Sequence, residues 1–128
     1  MVVKLVDANT VKVGYTIIIE GAPCLVRSVN ISKPGAHGHA KVRIEAVNIF
    51  DDKKKVIVAP SRDRFEAPLI NKARGQVLSV SGDKANVMDL ESFETLDIEM
   101  GKDMEEIKEG DNVEYWSVGE RKIIKRKL

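Results

Sequence analysis

Apolar residues along this chain come in short runs, and several runs alternate with polar positions at a period of two rather than at helical spacing. Lys41 to Phe50 shows the pattern best: Lys41, Arg43 and Glu45 interleave with Val42, Ile44 and Ala46, which predicts a strand with one buried face. Val11–Val13, Thr16–Glu20, Cys24–Ile31 and Val56–Val58 read as further strands, separated by Gly14-Tyr15, by the turn Glu20–Pro23 and by the charged turn Asp51–Lys55. Glu66–Ile70 reads as an extended last strand, because Pro68 disfavours helix there. Short strands without a helical period predict a small SH3-like barrel.

The second half begins after a short polar segment, Asn71–Gly75, which reads as a linker. Gln76–Val80, Ala85–Leu90 and Phe93–Met100 then predict a three-strand meander with turns at Ser81–Lys84 and Glu91-Ser92. Gly101–Gly110 is the best helical candidate: Asp103 can cap it, acidic residues fill its first turn and Gly110 can end it. Val113–Trp116 and Arg121–Ile124 complete five strands. Three strands, a short helix and two strands is the order of an OB-fold. The expected organisation is therefore mainly β: residues 1–70 as an SH3-like (KOW-type) barrel carrying the loop 32–41, and residues 71–128 as an OB-fold with one short helix.

That loop breaks the alternation. Ser-Lys-Pro-Gly-Ala-His-Gly-His-Ala-Lys, residues 32–41, holds no large apolar side chain between two strand-like runs. Glycine and proline set special backbone angles, so an exposed hairpin tip is expected, carrying Lys33 and Lys41 as cations. The bland alternative is a solvated surface loop.

Charge sharpens this picture only slightly. The net charge is +1, but residues 1–70 carry 11 Lys and Arg against 7 Asp and Glu, and residues 71–128 carry 10 against 13. A basic half beside a mildly acidic half suits RNA contact by the first. Arg62, Arg64 and Phe65 form a small basic-aromatic group; phosphate contact is one reading, and Phe65 packing on the barrel with solvated arginines is the favoured one. Arg121, Lys122, Lys125, Arg126 and Lys127 make a basic C-terminal patch that is equally a phosphate site or an ordinary soluble terminus.

Catalytic signatures are missing from the sequence. No G-x-x-x-x-G-K-[ST] loop, G-x-G-x-x-G turn or H-E-x-x-H helix occurs. His37 and His39 could begin a metal site, but nothing in the spacing completes one, and a Gly-rich loop disfavours a rigid site. Cys24 is the only cysteine, which excludes an intrachain disulfide and reads as a small buried hydrophobe. A non-enzymatic protein without cofactor or metal is expected. The first apolar run is broken by Lys4 and Asp7, and no run approaches the roughly 20 residues that span a bilayer, so a cytoplasmic location without membrane contact is expected.

The loop also carries a resemblance. Ser-Lys-Pro-Gly-x-His-Gly-His-Ala-Lys is similar to the hypusine loop of the translation initiation factor 5A family in its archaeal form, and Val56–Ser61, Gly75–Leu78 and Val87–Leu90 also look like family segments. In that family the x position is a lysine that deoxyhypusine synthase, using spermidine and NAD, converts to hypusine. Here it is Ala36. The resemblance implies Ala36 as the modification position, Gly35, His37 and Gly38 as shaping the tip, and Lys33, His39 and Lys41 as assisting RNA contact. It implies the ribosome and peptidyl-tRNA as partners, with hypusine reaching the acceptor end and promoting peptide-bond formation on stalled ribosomes. A methyl group cannot form the imine with the aminobutyl donor, so this chain cannot be modified at Ala36. A deliberate Lys→Ala change is the simpler origin, and a natural unmodified member is the other. A general SH3-plus-OB RNA-binding module is the alternative reading of function.

Overall fold

The computed structural model describes residues 3–33, 40–101 and 104–128. The chain forms two compact units, Met1–Leu69 and Ile70–Leu128, each with its own apolar core. No helix among the described residues is long and apolar enough to cross a membrane.

The N-terminal unit contains β1 (Val3–Asp7), β2 (Thr16–Ile19), β3 (Ala22–Ser32), β4 (Lys41–Asn48), β5 (Lys54–Pro60) and β6 (Arg64–Pro68), with one 3₁₀ turn at Ala8–Thr10. Strands β2 to β5 form an antiparallel sheet in sequence order, while β1 pairs with β6 as a separate ribbon. The alternation in β4 is realised: Val42, Ile44 and Ala46 are fully buried, and Lys41 and Arg43 are exposed. They meet Ile17, Ile19, Cys24 and Val26 in the core, and Phe65 packs against it from β6. Fully excluded from solvent, Cys24 behaves as the small apolar residue expected, and burial raises its thiol pKa.

One expected strand is absent. Val11–Val13 lies outside the sheets: the Val11 N–H donates to the Ala8 carbonyl at 3.3 Å and the Tyr15 N–H to the Lys12 carbonyl at 3.1 Å, both turn bonds. The partner of β6 is instead β1, whose polar Lys4 and Asp7 hide it because the ribbon is largely exposed.

The C-terminal unit comprises β7 (Ile70–Ser81), β8 (Lys84–Asp89), β9 (Thr95–Met100), β10 (Asn112–Val118) and β11 (Arg121–Lys127). They close into a barrel in the order β7-β8-β9-β11-β10, with β9 and β11 parallel and every other pair antiparallel. That circuit is the OB-fold circuit, and closure removes the sheet edges. Val77, Val87, Ile98, Val113 and Ile124 fill the interior.

Two local expectations are corrected here. Asn71–Gly75 is not a linker but the first half of β7, paired with Ser117 to Val113 of β10. Its glycine answers to packing: a Cβ on Gly75 would lie 2.2 Å from Val87 Cγ1 and 3.2 Å from the Met88 carbonyl oxygen. The helix expected over 101–110 is likewise not formed by the described residues 104–110, and Lys102 and Asp103 lie outside them. The segment's polar groups are taken by the barrel. Gly110 N–H donates to Val77 O and Val77 N–H to Asp111 O, both at 2.8 Å, while Ile107 is buried in the core. A one- or two-turn helix has too few internal bonds to compete with such contacts.

Candidate functional site

The β3–β4 hairpin presents the loop singled out in the sequence. Its pairing runs from Cys24–Asn48 to Ser32–Lys41, with a β-bulge between Val26 and Ser28. The β-ladder therefore holds both strands to the point where the loop begins, and Lys33 and Lys41 stand exposed on either side. Gly35, Ala36, His37, Gly38 and His39 lie outside the described residues.

What buttresses the far side of the loop is a backbone chain. Ser61 N–H donates to the Ala40 carbonyl at 3.0 Å, Asn9 N–H to the Ser61 carbonyl at 3.2 Å, and Ala8 N–H to the Asp63 carbonyl at 2.7 Å. Asp63 N–H closes on the Pro60 carbonyl at 3.0 Å. Thus the turn between β5 and β6 is clamped by the 3₁₀ turn and in turn holds the loop's exit.

Charges on the sheet below the loop are partly self-satisfied. Arg43 donates to Glu45 at 2.9 Å, and Lys54 stands 3.7 Å from the same carboxylate. These cations, the Arg43 hydrogen bond foremost, lower the Glu45 pKa. The basic-aromatic group divides: Phe65 joins the core, Arg64 pairs with Asp7 at 3.2 Å, and Arg62 has no ion-pair partner among the described residues.

The basic C-terminal patch looks quite different. Arg121 pairs with Glu99 at 3.1 Å, Arg126 with Glu114 at 3.1 Å, and Lys127 with Asp111 at 3.4 Å. Lys125 and Lys72 place their ammonium groups 5.3 and 4.5 Å from the centroid of the Trp116 ring, within cation–π range. Glu114 also accepts from Trp116 Nε1 at 2.9 Å, which with Arg126 lowers its pKa. Lys122 is partly exposed beside these pairs. Four of the five cations are thus engaged within the barrel.

A buried carboxylate organises the β8–β9 turn. Asp89 accepts the Tyr115 hydroxyl and the backbone N–H groups of Glu91 and Ser92, the latter two at 2.8 Å. Those bonds, the Tyr115 hydroxyl first, hold its pKa below the usual carboxylate range, while burial and Asp89 raise that of Tyr115. The arrangement is structural: Asp89 ties Tyr115 of β10 to the β8–β9 turn, and no cluster of metal-ligating side chains occurs among the described residues.

Comparison with known proteins gives the family. Residues 4–63 match the family described as translation initiation factor 5A-like, N-terminal. The chain is 47% identical over 121 residues to translation initiation factor 5A of Methanococcus aeolicus, covering 94% of this chain and 92% of that protein. It is 40% identical over 121 residues to that of Methanocaldococcus jannaschii, with the same coverage. Among solved structures, eukaryotic translation initiation factor 5A from Methanococcus jannaschii superposes with a TM-score of 0.85 at 37% identity, covering 98% of this chain and 95% of that one. A translation initiation factor eif-5a family protein from Naegleria fowleri superposes with a TM-score of 0.78 at 28% identity, covering 98% and 97%. With both units and nearly the whole length matched, the chain belongs to the translation initiation factor 5A family.

Proposed function

We propose that this chain is a translation factor that acts on the ribosome through the tip of the β3–β4 hairpin. Its relatives carry the name of a translation factor, and the family is non-enzymatic. In this reading the tip enters an RNA-lined cavity near peptidyl-tRNA and promotes peptide-bond formation on stalled ribosomes. The family's active form is hypusinated, and the unmodified form is the protein substrate of deoxyhypusine synthase. Ala36 deprives this chain of the amine that reaction needs.

The observation that carries the reading is the strand pairing maintained out to Ser32 and Lys41, which holds two exposed lysines at the mouth of the loop. Lysine and backbone N–H groups are the usual partners of phosphate, and glycine permits close approach. The alternative, a general RNA-binding module that grips with its tail, is disfavoured because four of the five tail cations already have carboxylate or aromatic partners.

The test is intact mass of an Ala36→Lys variant after incubation with deoxyhypusine synthase, spermidine and NAD. A gain of one aminobutyl unit in the variant and none in the Ala36 chain is expected. No gain in either would overturn the substrate reading.

A further inference from the structure

We propose that the β5–β6 turn, through Arg62, is a second phosphate-contacting element beside the loop. The inference rests on the ribosome-acting reading above and adds a residue outside the loop sequence.

The geometry starts from the Ser61–Ala40 hydrogen bond, which fixes the turn against the loop's exit. One residue later comes Arg62, exposed, while Arg64 two positions further on is held by Asp7. Of the three residues in this basic-aromatic group, Arg62 alone has neither a core position nor an ionic partner among the described residues. Its backbone is tied down on both sides: the Pro60, Ser61 and Asp63 carbonyls each accept a backbone N–H. A preorganised backbone lowers the ordering cost of binding, and a guanidinium suits the paired oxygens of a phosphate.

The turn therefore adds a cation to Lys33 and Lys41 near the loop's base. Asp63, exposed on the same turn, is the opposing charge, so three cations stand against one carboxylate. The partner that fits is the RNA phosphate backbone, since the contact is cationic and asks for no base recognition.

The experiment measures binding of the Ala36→Lys protein, modified as above, to purified ribosomes across a salt series. Arg62→Gln, Arg62→Lys and Lys41→Gln are compared on that background, with Arg27→Gln as an exposed arginine on another part of β3. Arg62→Gln is expected to weaken binding about threefold or more and to flatten the log–log salt slope by about 0.7 to 0.9, as loss of one phosphate contact does. Arg62→Lys should restore the slope, and Arg27→Gln should change neither. Unchanged binding by Arg62→Gln alongside weakened binding by Lys41→Gln would overturn this proposal while leaving the tip reading intact. Unchanged binding by both would overturn the tip reading itself. Weakening with an unaltered salt slope would assign Arg62 to a protein surface and also overturn the proposal. Thermal melts of each variant check that the turn still folds.

Discussion

Two basic regions of this chain look alike in sequence and differ in structure. The hairpin base carries Lys33, Lys41 and Arg62 without ion-pair partners among the described residues, whereas the C-terminal patch has Arg121, Arg126 and Lys127 each on a carboxylate. Both count as cationic. The first leaves more of its charge available for a partner. A surface ion pair contributes little to stability, about 0 to 1 kcal/mol, but each pair reduces the net charge that a phosphate would meet.

The largest expected effect lies where the C-terminal unit turns charge inward. Asp89→Asn removes a charged acceptor from Tyr115 and the β8–β9 turn, and should destabilise this unit by about 1 to 3 kcal/mol in denaturant unfolding. Ribosome binding well below the melting temperature should be unchanged, which separates charge used for folding from charge used for contact. The pH dependence has a defined sign. Asp89 has a lowered pKa when folded, so its contribution is complete above the ordinary carboxylate value of about 4 and is lost as pH falls through the lowered one. Acid melts of the parent should show this loss, and Asp89→Asn melts should lack it.

Next in size is the hairpin base. Lys33→Gln and Lys41→Gln should each weaken ribosome binding about threefold and flatten the salt slope by about one unit or slightly less, with unaltered melts. Smaller again is the tail: Arg126→Gln and Lys127→Gln should change binding less than twofold and stability by about 1 kcal/mol or less. The smallest effect should come from Glu99→Gln, which removes the carboxylate 3.1 Å from Arg121. If pairing is what silences the patch, this variant gains a slight salt-dependent RNA affinity, measurable as fluorescence anisotropy on an RNA oligomer.

Much of this architecture is legible in the sequence because period-two alternation reports a half-buried strand. β4 announces itself in that way, and the glycines and proline mark the loop between Ser32 and Lys41. The OB-fold order can be read from turn spacing. β1 cannot, since an exposed two-stranded ribbon tolerates Lys4 and Asp7 and loses the pattern. Asn71–Gly75 resembles a linker because its polar residues are largely exposed even while its backbone is paired. The apparent helix fails for the opposite reason: capping residues are present, but Ile107 and the bonds of Gly110 and Asp111 to Val77 commit the segment to the barrel.

The loop and its flanking lysines are thus visible in residue type alone. The Ser61–Ala40 contact is not, because a backbone hydrogen bond between distant segments leaves no mark on residue type. Neither is the pairing of the tail, whose partners Glu99, Asp111 and Glu114 lie elsewhere along the barrel.

The most direct test of the account is ribosome co-sedimentation of two variants beside the modified Ala36→Lys protein, the second of them carrying the same modified lysine. In one, residues 33–40 are replaced by Asn-Gly, a two-residue turn that fits the Ser32–Lys41 register pair. In the other, Arg121, Lys122, Lys125, Arg126 and Lys127 are all changed to Gln. The account predicts that the shortened hairpin no longer sediments with ribosomes while the neutralised tail still does. Retained binding by the shortened hairpin, with loss in the tail variant, would contradict it.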